Sequence, residues 1–310
     1  TNETPESRRK LGSYLLMTEA QVNTITSAMF LTAMAGNPLA QKFAQDRGIT
    51  LDWGTWALAA LVPGLVALLV MPWVMSKIYP PTIKKTPDAP EHARQELQSI
   101  GAMSVKEWIM LGTFVLLLIL WVGGSGWGID ATSAAFFGIA ILLVTKVLTW
   151  KDLAKNSSAW STLIFFAVLV GMADHLKNLK VVDWIGQQAA HSVSGMAWPV
   201  AFTILVLAYF FIHYMFASNT AQVVALYAVF LGAAVTAGVP PMFAALFLGF
   251  MGNLIGGITH YASGPSGVYY GSGYFTAGEW FKVGFMASMV NLFVWGTVGT
   301  AWLFALGFAN

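Results

Sequence analysis

The chain has 310 residues, of which 57% are hydrophobic and only 10% are charged, with a net charge of +2 and a mean hydropathy of +0.66. Soluble domains carry about 25% charged residues, so the composition excludes a soluble globular class, and the small net charge favours no nucleic-acid partner. The absence of cysteine excludes disulfides and cysteine-based metal sites. Several apolar runs long enough to cross roughly 30 Å of hydrocarbon predict an all-α polytopic membrane protein.

Basic residues cluster at three places between the predicted spans. The clusters precede the first span, follow the second and follow the fourth: Arg8, Arg9 and Lys10; Lys77, Lys84, Lys85 and Arg94; Lys146, Lys151 and Lys155. Because cytoplasmic loops are enriched in lysine and arginine, the three clusters predict a common cytoplasmic face.

The first membrane segment, Leu11 to Ala44, is predicted to be a broken helix. Its first half is rich in polar side chains, and it is interrupted at Ala35-Gly36-Asn37-Pro38, where proline removes a backbone donor and glycine tolerates non-helical conformations. A polar, interrupted helix inside a membrane must line a cavity or be buried in protein. Glu19 is either an intramembrane proton site or an acid near the cytoplasmic end of its span.

Residues 55–79 form the next predicted span, and residues 80–106 form a polar cytoplasmic linker between two halves of the chain. Three further apolar segments then cross the membrane, at 107–122, 131–148 and 160–172. Residues 174–194 are predicted to form an amphipathic external or interfacial stretch.

Ser218-Asn219-Thr220 interrupts one of the most apolar stretches of the chain. The flanking residues 198–216 and 221–237 are each near membrane length, so three polar residues between them would be costly in lipid. A re-entrant hairpin over 198–237, with the triplet at its tip, accounts for both features. Such a tip offers hydroxyl, amide and helix N-terminal N–H groups to an anion or a cation. A plain surface loop is the alternative interpretation.

A second broken helix is predicted over 242–273, and a final span over 281–308. The break of this second broken helix, Ala262-Ser263-Gly264-Pro265, completes a Thr-x-x-Ala-small-x-Pro pattern that begins at Thr259. The same pattern runs from Thr32 to Pro38 at the first break. Paired interrupted helices in two halves indicate an inverted-repeat transporter with a binding site near the bilayer midplane.

Four stretches carry a resemblance to a known family: TSAMFLTAMAGNPLA, FASNTAQVVALYAVFLGAAVTAGVPP, ITHYASGPSGVYYGSGYF and EWFKVGFMASMVNLFVWG. They resemble the divalent anion/sodium symporter family, and within it the branch of plastid 2-oxoglutarate/malate translocators and bacterial citrate/succinate and tartrate/succinate antiporters. Members of this family have two inverted repeats, each with a Ser-Asn-Thr hairpin followed by a broken helix.

The resemblance implies a division of the chain into a remnant of the first repeat (1–79), the linker (80–106) and a complete second repeat (107–310). We expect the chain to be the C-terminal two-thirds of a transporter, without the first Ser-Asn-Thr hairpin and with half of the binding site. The family further implies alternating access by an elevator movement and a homodimer when full-length. The expected location is a bacterial inner membrane, with the plastid inner envelope as the alternative.

The resemblance also implies which residues bind the substrate. The second Ser-Asn-Thr signature touches a substrate carboxylate in the family, and the two breaks face the substrate. The predicted substrate-binding residues are Ser218, Asn219, Thr220, Ser263, Gly264, Pro265, Gly36, Asn37 and Pro38. In a sodium-coupled member the cation positions would be Ala217, Asn219, Ala262 and Ala35. Such members tend to have Thr-Pro-Pro at both breaks, whereas this chain has Gly-Asn-Pro and Ser-Gly-Pro, which favours transport without sodium.

The function that the resemblance implies is secondary active transport of di- and tricarboxylates such as malate, succinate, 2-oxoglutarate and citrate. An anion in a dry cavity needs its charge neutralised, and protonated His213 or His260 could do this; both could instead be packed, hydrogen-bonded histidines. A fixed protein cation favours obligatory exchange, because the empty carrier would otherwise reorient with an unpaired charge. Sodium-coupled symport is the alternative, and apart from a coupling sodium ion no cofactor is expected.

An intramembrane serine protease is the alternative from another functional class. Gly264-Pro265-Ser266-Gly267 fits a Gly-x-Ser-Gly nucleophile motif. Such an enzyme needs a histidine base on a later helix to activate the serine, and all five histidines precede Ser266. The sequence therefore favours a transporter over an enzyme.

Overall fold

The computed structural model of the chain describes residues 11–83 and 85–309, and these are arranged as helices joined by short connections. The chain divides into two compact units, Thr1–Thr82 with Val168–Asn310, and Ile83–Ala167. Arg8, Arg9, Lys10 and Lys84 of the basic clusters lie outside the described residues. The predicted division into a first-repeat remnant, a linker and a second repeat is a different division from these two compact units. It stays a prediction.

The first unit begins with three helices: α1 (Gly12–Met29), α2 (Gly36–Gln45) and α3 (Trp53–Ile78). The chain leaves helical geometry at 30–35, slightly before the predicted break, and Pro38 lies in the first turn of α2. Proline is tolerated there because the first N–H groups of a helix have no intrahelical acceptor. Trp56 fastens α3 to α1, since its indole N–H donates to the carbonyl oxygen of Ala28 at 2.9 Å.

The second unit contains α4 (Ala89–Ile100), α5 (Val105–Gly123), α6 (Ala131–Val144) and α7 (Trp150–Lys155), and it ends within α8 (Ser157–Asn178). Ser104 and Glu107 form a capping box that fixes the start of α5. Asp130 caps α6, and the hydrogen bond from the Ser133 hydroxyl lowers the pKa of its carboxyl group. The crossing predicted at 131–148 is a shorter helix that ends at Val144, and Lys146 takes a left-handed backbone conformation two residues later.

The first unit resumes with α9 (Val181–Ser192) and the predicted hairpin. The first arm is α10 (Trp198–Phe211) with a 3₁₀ turn (Ile212–Met215), and the second arm runs through α11 (Asn219–Gln222), a π-helical turn (Val223–Tyr227) and α12 (Ala228–Thr236). Residues 216–218 form the non-helical link between the two arms, so the Ser218-Asn219-Thr220 tip spans the end of this link and the start of the second arm. A π turn contains about one residue more than an α turn, so it shifts the register of the second arm.

The chain ends with the second interrupted helix and a long final helix. α13 (Pro241–Leu254) continues as a 3₁₀ turn (Ile255–Gly257), residues 258–263 are irregular, and α14 (Gly264–Gly271) follows. The final helix comprises α15 (Ala277–Val294), a π-helical turn (Trp295–Gly299) and α16 (Thr300–Ala305). It begins at 277 rather than at the predicted 281, because Thr276 and Glu279 form a capping box there.

Five helices among the described residues are long and apolar enough to cross a membrane. They are Trp53–Ile78, Val105–Gly123, Trp198–Met215, Asn219–Thr236 and Ala277–Ala305. Two of the five are the arms of the hairpin, so each arm has the length and composition that its sequence predicts.

Candidate functional site

One cavity of about 510 Å³ lies in the first unit, within the size range of small-molecule sites. Its walls come from α1, the first break, the hairpin tip and the second break. The lining residues are Ala20, Asn23, Thr24, Thr26, Ser27, Phe30, Ala33, Met34, Ala35, Ser218, Asn219, Thr220, Asn253, Ala262, Ser263, Gly264, Pro265, Ser266 and Tyr269. These residues carry hydroxyl and amide groups but no charged side chain.

The hairpin tip is joined directly to the second break. The backbone N–H of Asn219 donates to the carbonyl oxygen of Ala262 at 2.8 Å. Ser218 has an extended backbone and caps the second arm, accepting from the N–H of Ala221 at 3.4 Å. Its neighbour Asn219 is only 5% exposed. The predicted residues Ser218, Asn219 and Thr220 therefore sit together on one wall of the cavity.

The second break forms the adjacent wall. Ser263 caps α14, and its hydroxyl accepts from the N–H of Ser266 at 3.2 Å and lies 2.9 Å from the Ser266 hydroxyl. Gly264 and Pro265, in the first turn of α14, line the cavity beside it. The predicted residues of this break are thus brought together with those of the hairpin tip.

The first break is placed differently from the prediction. Gly36, Asn37 and Pro38 are not among the lining residues, whereas Ala33, Met34 and Ala35 are. The Asn37 side chain is only 1% exposed, and its amide nitrogen donates to the carbonyl oxygens of Ser27 and Phe30 at 3.0 Å each. Its amide oxygen accepts from Asn253 at 2.7 Å. Asn37 thus closes the break and ties it to α13.

Three helix N-termini converge on the cavity. They belong to α2, to the second arm of the hairpin and to α14, and each contributes lining residues at or next to its first turn: Ala35; Ser218, Asn219 and Thr220; Ser263, Gly264, Pro265 and Ser266. The N-terminus of a helix carries a partial positive charge and N–H groups without intrahelical acceptors. A cavity without lining charges that is faced by three such ends favours an anion.

Neither predicted histidine lines the cavity. His213 is fully buried behind the hairpin tip, with Nδ1 2.8 Å from Gln222 Oε1 and Nε2 3.2 Å from Thr259 Oγ1. Gln222 donates its amide N–H to the carbonyl oxygen of Tyr209, so its Oε1 faces the imidazole and must accept from Nδ1–H. His213 therefore links both arms of the hairpin to the second break. His260 stacks on Tyr270, with ring centroids 4.0 Å apart.

Several lining residues were absent from the predicted site. Asn23, Thr26 and Ser27 belong to the polar half of α1, which the sequence marked only as a helix that must line a cavity. Their spacing of three to four residues, continued by Phe30, is the signal of one helix face. Tyr269 lies in the wall and close enough to Glu19 for the two side chains to interact. Glu19 itself is exposed and is not a lining residue.

One glycine of the second interrupted helix makes room for the tip. A Cβ atom on Gly256 would stand 2.7 Å from the amide nitrogen of Asn219, closer than real Cβ contacts come. The absence of a side chain at this position therefore lets Asn219 pack against the 3₁₀ turn that follows α13.

Comparison with known proteins gives a consistent assignment. The family model described as the sodium:sulfate symporter transmembrane region matches residues 1–309. YflS of Bacillus subtilis (strain 168), whose name proposes malate transport, is 48% identical over 97% of this chain and 63% of its own length. Dicarboxylate transporter 2, chloroplastic, of Spinacia oleracea is 46% identical over 97% of this chain and 54% of its own length.

A more distant relative has an antiporter name. The L-tartrate/succinate antiporter of Shigella flexneri is 33% identical over 96% of this chain and 61% of its own length. The chain therefore spans between about half and two-thirds of the length of these relatives. The match over the whole sequence confirms the resemblance found in the hairpin and the breaks, and the chain belongs to the sodium:sulfate symporter family of helical, integral membrane proteins.

Proposed function

We propose that this chain forms the carboxylate-binding part of a secondary active transporter of di- and tricarboxylates. The observation that carries the proposal is the junction of the hairpin tip with the second break, where Asn219 N–H meets the Ala262 carbonyl oxygen at 2.8 Å. This junction brings the N-terminus of the second hairpin arm and the N-terminus of α14 to the same cavity. No charged side chain lines that cavity. Hydroxyl and amide donors at such a place suit a carboxylate oxygen.

Alternating access by exchange of one anion for another is the proposed mode of transport. The names of relatives support transport of dicarboxylates, and one of them is named as an antiporter. The Gly-Asn-Pro and Ser-Gly-Pro sequences at the two breaks also favour exchange without sodium. Neither His213 nor His260 lines the cavity. A histidine that compensates the charge of the anion would therefore do so through the lining residues rather than by direct contact.

Sodium-coupled symport is the second candidate, and one observation favours it. The side-chain oxygen of Asn219 is buried and has no hydrogen-bond partner among the described residues. Carbonyl oxygens at helix breaks coordinate sodium in transporters, and the carbonyl oxygen of the buried Ala262 lies 2.8 Å from the backbone nitrogen of Asn219. Ala217 and Ala35 complete the proposed cation positions, with sodium as the coupling ion.

A non-enzymatic role is part of the proposal. The Ser266 hydroxyl lies 2.9 Å from the Ser263 hydroxyl, and the buried histidine His213 is bonded to Gln222 and Thr259 instead. A serine without a histidine base lacks the activation that a hydrolase requires. The names of the relatives, which are those of transporters, point the same way.

Counterflow of labelled succinate, malate, citrate and 2-oxoglutarate into proteoliposomes of the full-length protein tests the proposal. We expect exchange with at least one of these anions, and loss of exchange in Asn219→Ala and Thr220→Ala at normal expression. Thr203→Ala is the matched control, because Thr203 is exposed on α10 and does not line the cavity. Normal transport by the two tip variants would overturn the site, and sodium-dependent net uptake would replace exchange by symport.

The assembly and the location of the transporter are further parts of the proposal. We expect a homodimer of the full-length protein in a bacterial inner membrane, which cross-linking in native membranes followed by fractionation would test. A monomer at all cross-linker concentrations, or recovery in another membrane, would contradict it.

A further inference from the structure

A cluster of buried polar side chains lies beside the second break and outside the cavity. Its members are Gln21 of α1 and Ser288 and Asn291 of α15, and all three are fully buried. The amide oxygen of Gln21, the hydroxyl of Ser288 and both polar atoms of the Asn291 amide have no hydrogen-bond partner among the described residues. Because an unpaired polar atom inside a protein is costly, four such atoms in one place point to a ligand.

The 3₁₀ turn that follows α13 brings two members of the cluster together. The amide nitrogen of Gln21 donates to the carbonyl oxygen of Gly257 at 3.1 Å, which fixes the orientation of the amide and leaves Oε1 as its unpaired end. A Cβ atom on Gly257 would stand 2.5 Å from Gln21 Oε1 and 3.0 Å from Ser288 Oγ. The sum of these two distances, 5.5 Å, is the most that can separate the two oxygen atoms. One small molecule with hydrogen bonds of about 2.8 Å can therefore bridge them.

Asn291 extends the cluster by one helical turn. It follows Ser288 by three positions on the same buried face of α15. Helical side chains lean toward the N-terminus of their helix, so the Asn291 amide lies over Ser288. Gly284, one turn before Ser288, lets the final helix approach the 3₁₀ turn, because a Cβ atom there would collide with the carbonyl oxygen of Gly257. The cluster is therefore enclosed between α1, the 3₁₀ turn and α15.

We propose that Gln21, Ser288 and Asn291 form a binding site for ordered water. The mixture of donors and acceptors in the cluster favours water over a cation. Water donates to the amide oxygens of Gln21 and Asn291 and accepts from the Asn291 N–H, so it satisfies both kinds of group. A sodium ion would leave the Asn291 N–H groups unpaired, and the cluster contains no carboxylate group to neutralise its charge.

Water at this site positions the second break. It holds the Gln21 amide in the orientation that donates to Gly257, and the preceding residue, Gly256, lies against the amide nitrogen of Asn219. The 3₁₀ turn is thus contacted by the hairpin tip at one glycine and by the polar cluster at the next. The inference does not depend on which anion the cavity takes, so its failure would leave the proposed function intact.

A crystal structure of the full-length protein, at a resolution that shows ordered water, tests the proposal directly. The protein is prepared once with choline as its only added cation and once with sodium. We expect density within hydrogen-bond distance of Gln21 Oε1 and Ser288 Oγ in both structures. Density that appears only with sodium would replace water by a cation. Direct hydrogen bonds among the three side chains, with no density between them, would overturn the site.

The stability of Ser288→Ala gives an independent test. If the Ser288 hydroxyl binds water, its removal loses a hydrogen bond, and the equilibrium constant for unfolding in detergent should rise about two- to tenfold. A hydroxyl without any ligand would be favourable to remove, so an unchanged or smaller constant would contradict the proposal. Thr297→Val is the matched control, because its hydroxyl lies on the same final helix but is exposed and bonds to the carbonyl oxygen of Phe293. The constant for this control should stay within about twofold of the wild type. If Ser288→Ala does not fold, the two crystal structures decide.

Discussion

The two helix breaks of the first unit have related sequences but are held in different ways. At the first break the Asn37 amide reaches back to the carbonyl oxygens of Ser27 and Phe30, so the interruption is closed by a side chain of the following helix. At the second break the carbonyl oxygen of Ala262 accepts from Asn219 of the hairpin, so the closure comes from another element. The first break is closed by its own asparagine and braced by Asn253 of α13, whereas the second depends on the position of the hairpin tip.

We infer from this difference that the two breaks form walls of the cavity with different mobility. A break closed by its own side chain gives a fixed wall, and a break closed by a neighbouring hairpin can change when the hairpin moves. Both breaks nevertheless contact the tip, since Met34 touches Thr220 on the first side. Four substitutions test whether the first break is a fixed wall and whether the second break depends on the hairpin.

The largest effect is expected for Asn37→Ala. The change removes one hydrogen bond each from the carbonyl oxygens of Ser27 and Phe30 and from the buried Asn253 amide, so we expect a loss of about 2–4 kcal/mol in the free energy of unfolding. Denaturant unfolding of the full-length protein in detergent measures this. Asn23→Ala, a cavity-lining control, should stay within about 0.5 kcal/mol of the wild type. Equal stability of the two variants would show that the first break does not depend on Asn37.

A smaller loss is expected when the support behind the hairpin is removed. His213→Ala deprives Gln222 and Thr259 of a buried partner, and we expect a loss of about 1–3 kcal/mol in unfolding free energy. Hydrogen exchange should become faster in residues 258–263 and remain unchanged in residues 30–35. His92→Ala, an exposed control on α4, should change neither. Lost anion exchange at unchanged stability would instead support the charge-compensating role of His213.

Gly256→Ala tests the space reserved for the tip. The added methyl group meets the Asn219 amide nitrogen at 2.7 Å, so the tip must shift and we expect about tenfold weaker succinate binding. Isothermal titration of the reconstituted protein measures the dissociation constant. Gly267→Ala is the control, because nothing lies within 4 Å of a Cβ atom there. Equal affinities for the two variants would mean that Asn219 does not need its observed position to bind the anion.

The smallest effect is expected at the cap of the second break. Ser263→Ala removes the hydroxyl that accepts from the Ser266 N–H, which costs a helix about 1 kcal/mol. Hydrogen exchange in α14 should then be about fivefold faster. Ser263→Gly keeps a tolerated capping residue and should cost only a few tenths of a kcal/mol. If Ser263→Ala exchanges at the wild-type rate, the hydroxyl does not stabilise the start of α14.

Much of this architecture could be predicted from local signals. Apolar runs of membrane length around Ser218-Asn219-Thr220 gave the hairpin and its tip, because burial of backbone polar groups in lipid leaves few alternatives. The repeated Thr-x-x-Ala-small-x-Pro pattern located both breaks to within a turn. The starts of α5 and α15 were predicted at 107 and 281 but lie at Val105 and Ala277, where capping boxes fix them.

Other features depended on contacts between distant segments and had no local signal. The family resemblance assigned Asn37 to substrate binding, which stays a prediction; in the structure its amide contacts Ser27, Phe30 and Asn253, the last of which is 216 positions away. No sequence signal singles out Met34, and only the fold brings its sulfur within 3.8 Å of the Thr220 hydroxyl oxygen. Packing between elements, which a single sequence does not encode by spacing, decides which residue of a break faces the cavity.

The π-helical turn at Val223–Tyr227 sets the direction in which the tip points. Each residue of an α-helix advances the chain by about 100° around the axis, so one extra residue in the second arm rotates everything before it by about that angle. Tyr227 anchors the far side of the turn by donating to the carbonyl oxygen of Ala245 at 2.8 Å. Deletion of a single residue between 223 and 227 would therefore turn Asn219 away from Ala262 while leaving every cavity side chain in the sequence. The number of residues in the second arm therefore fixes the orientation of Asn219, and it matters to the binding site as much as the identity of the lining side chains.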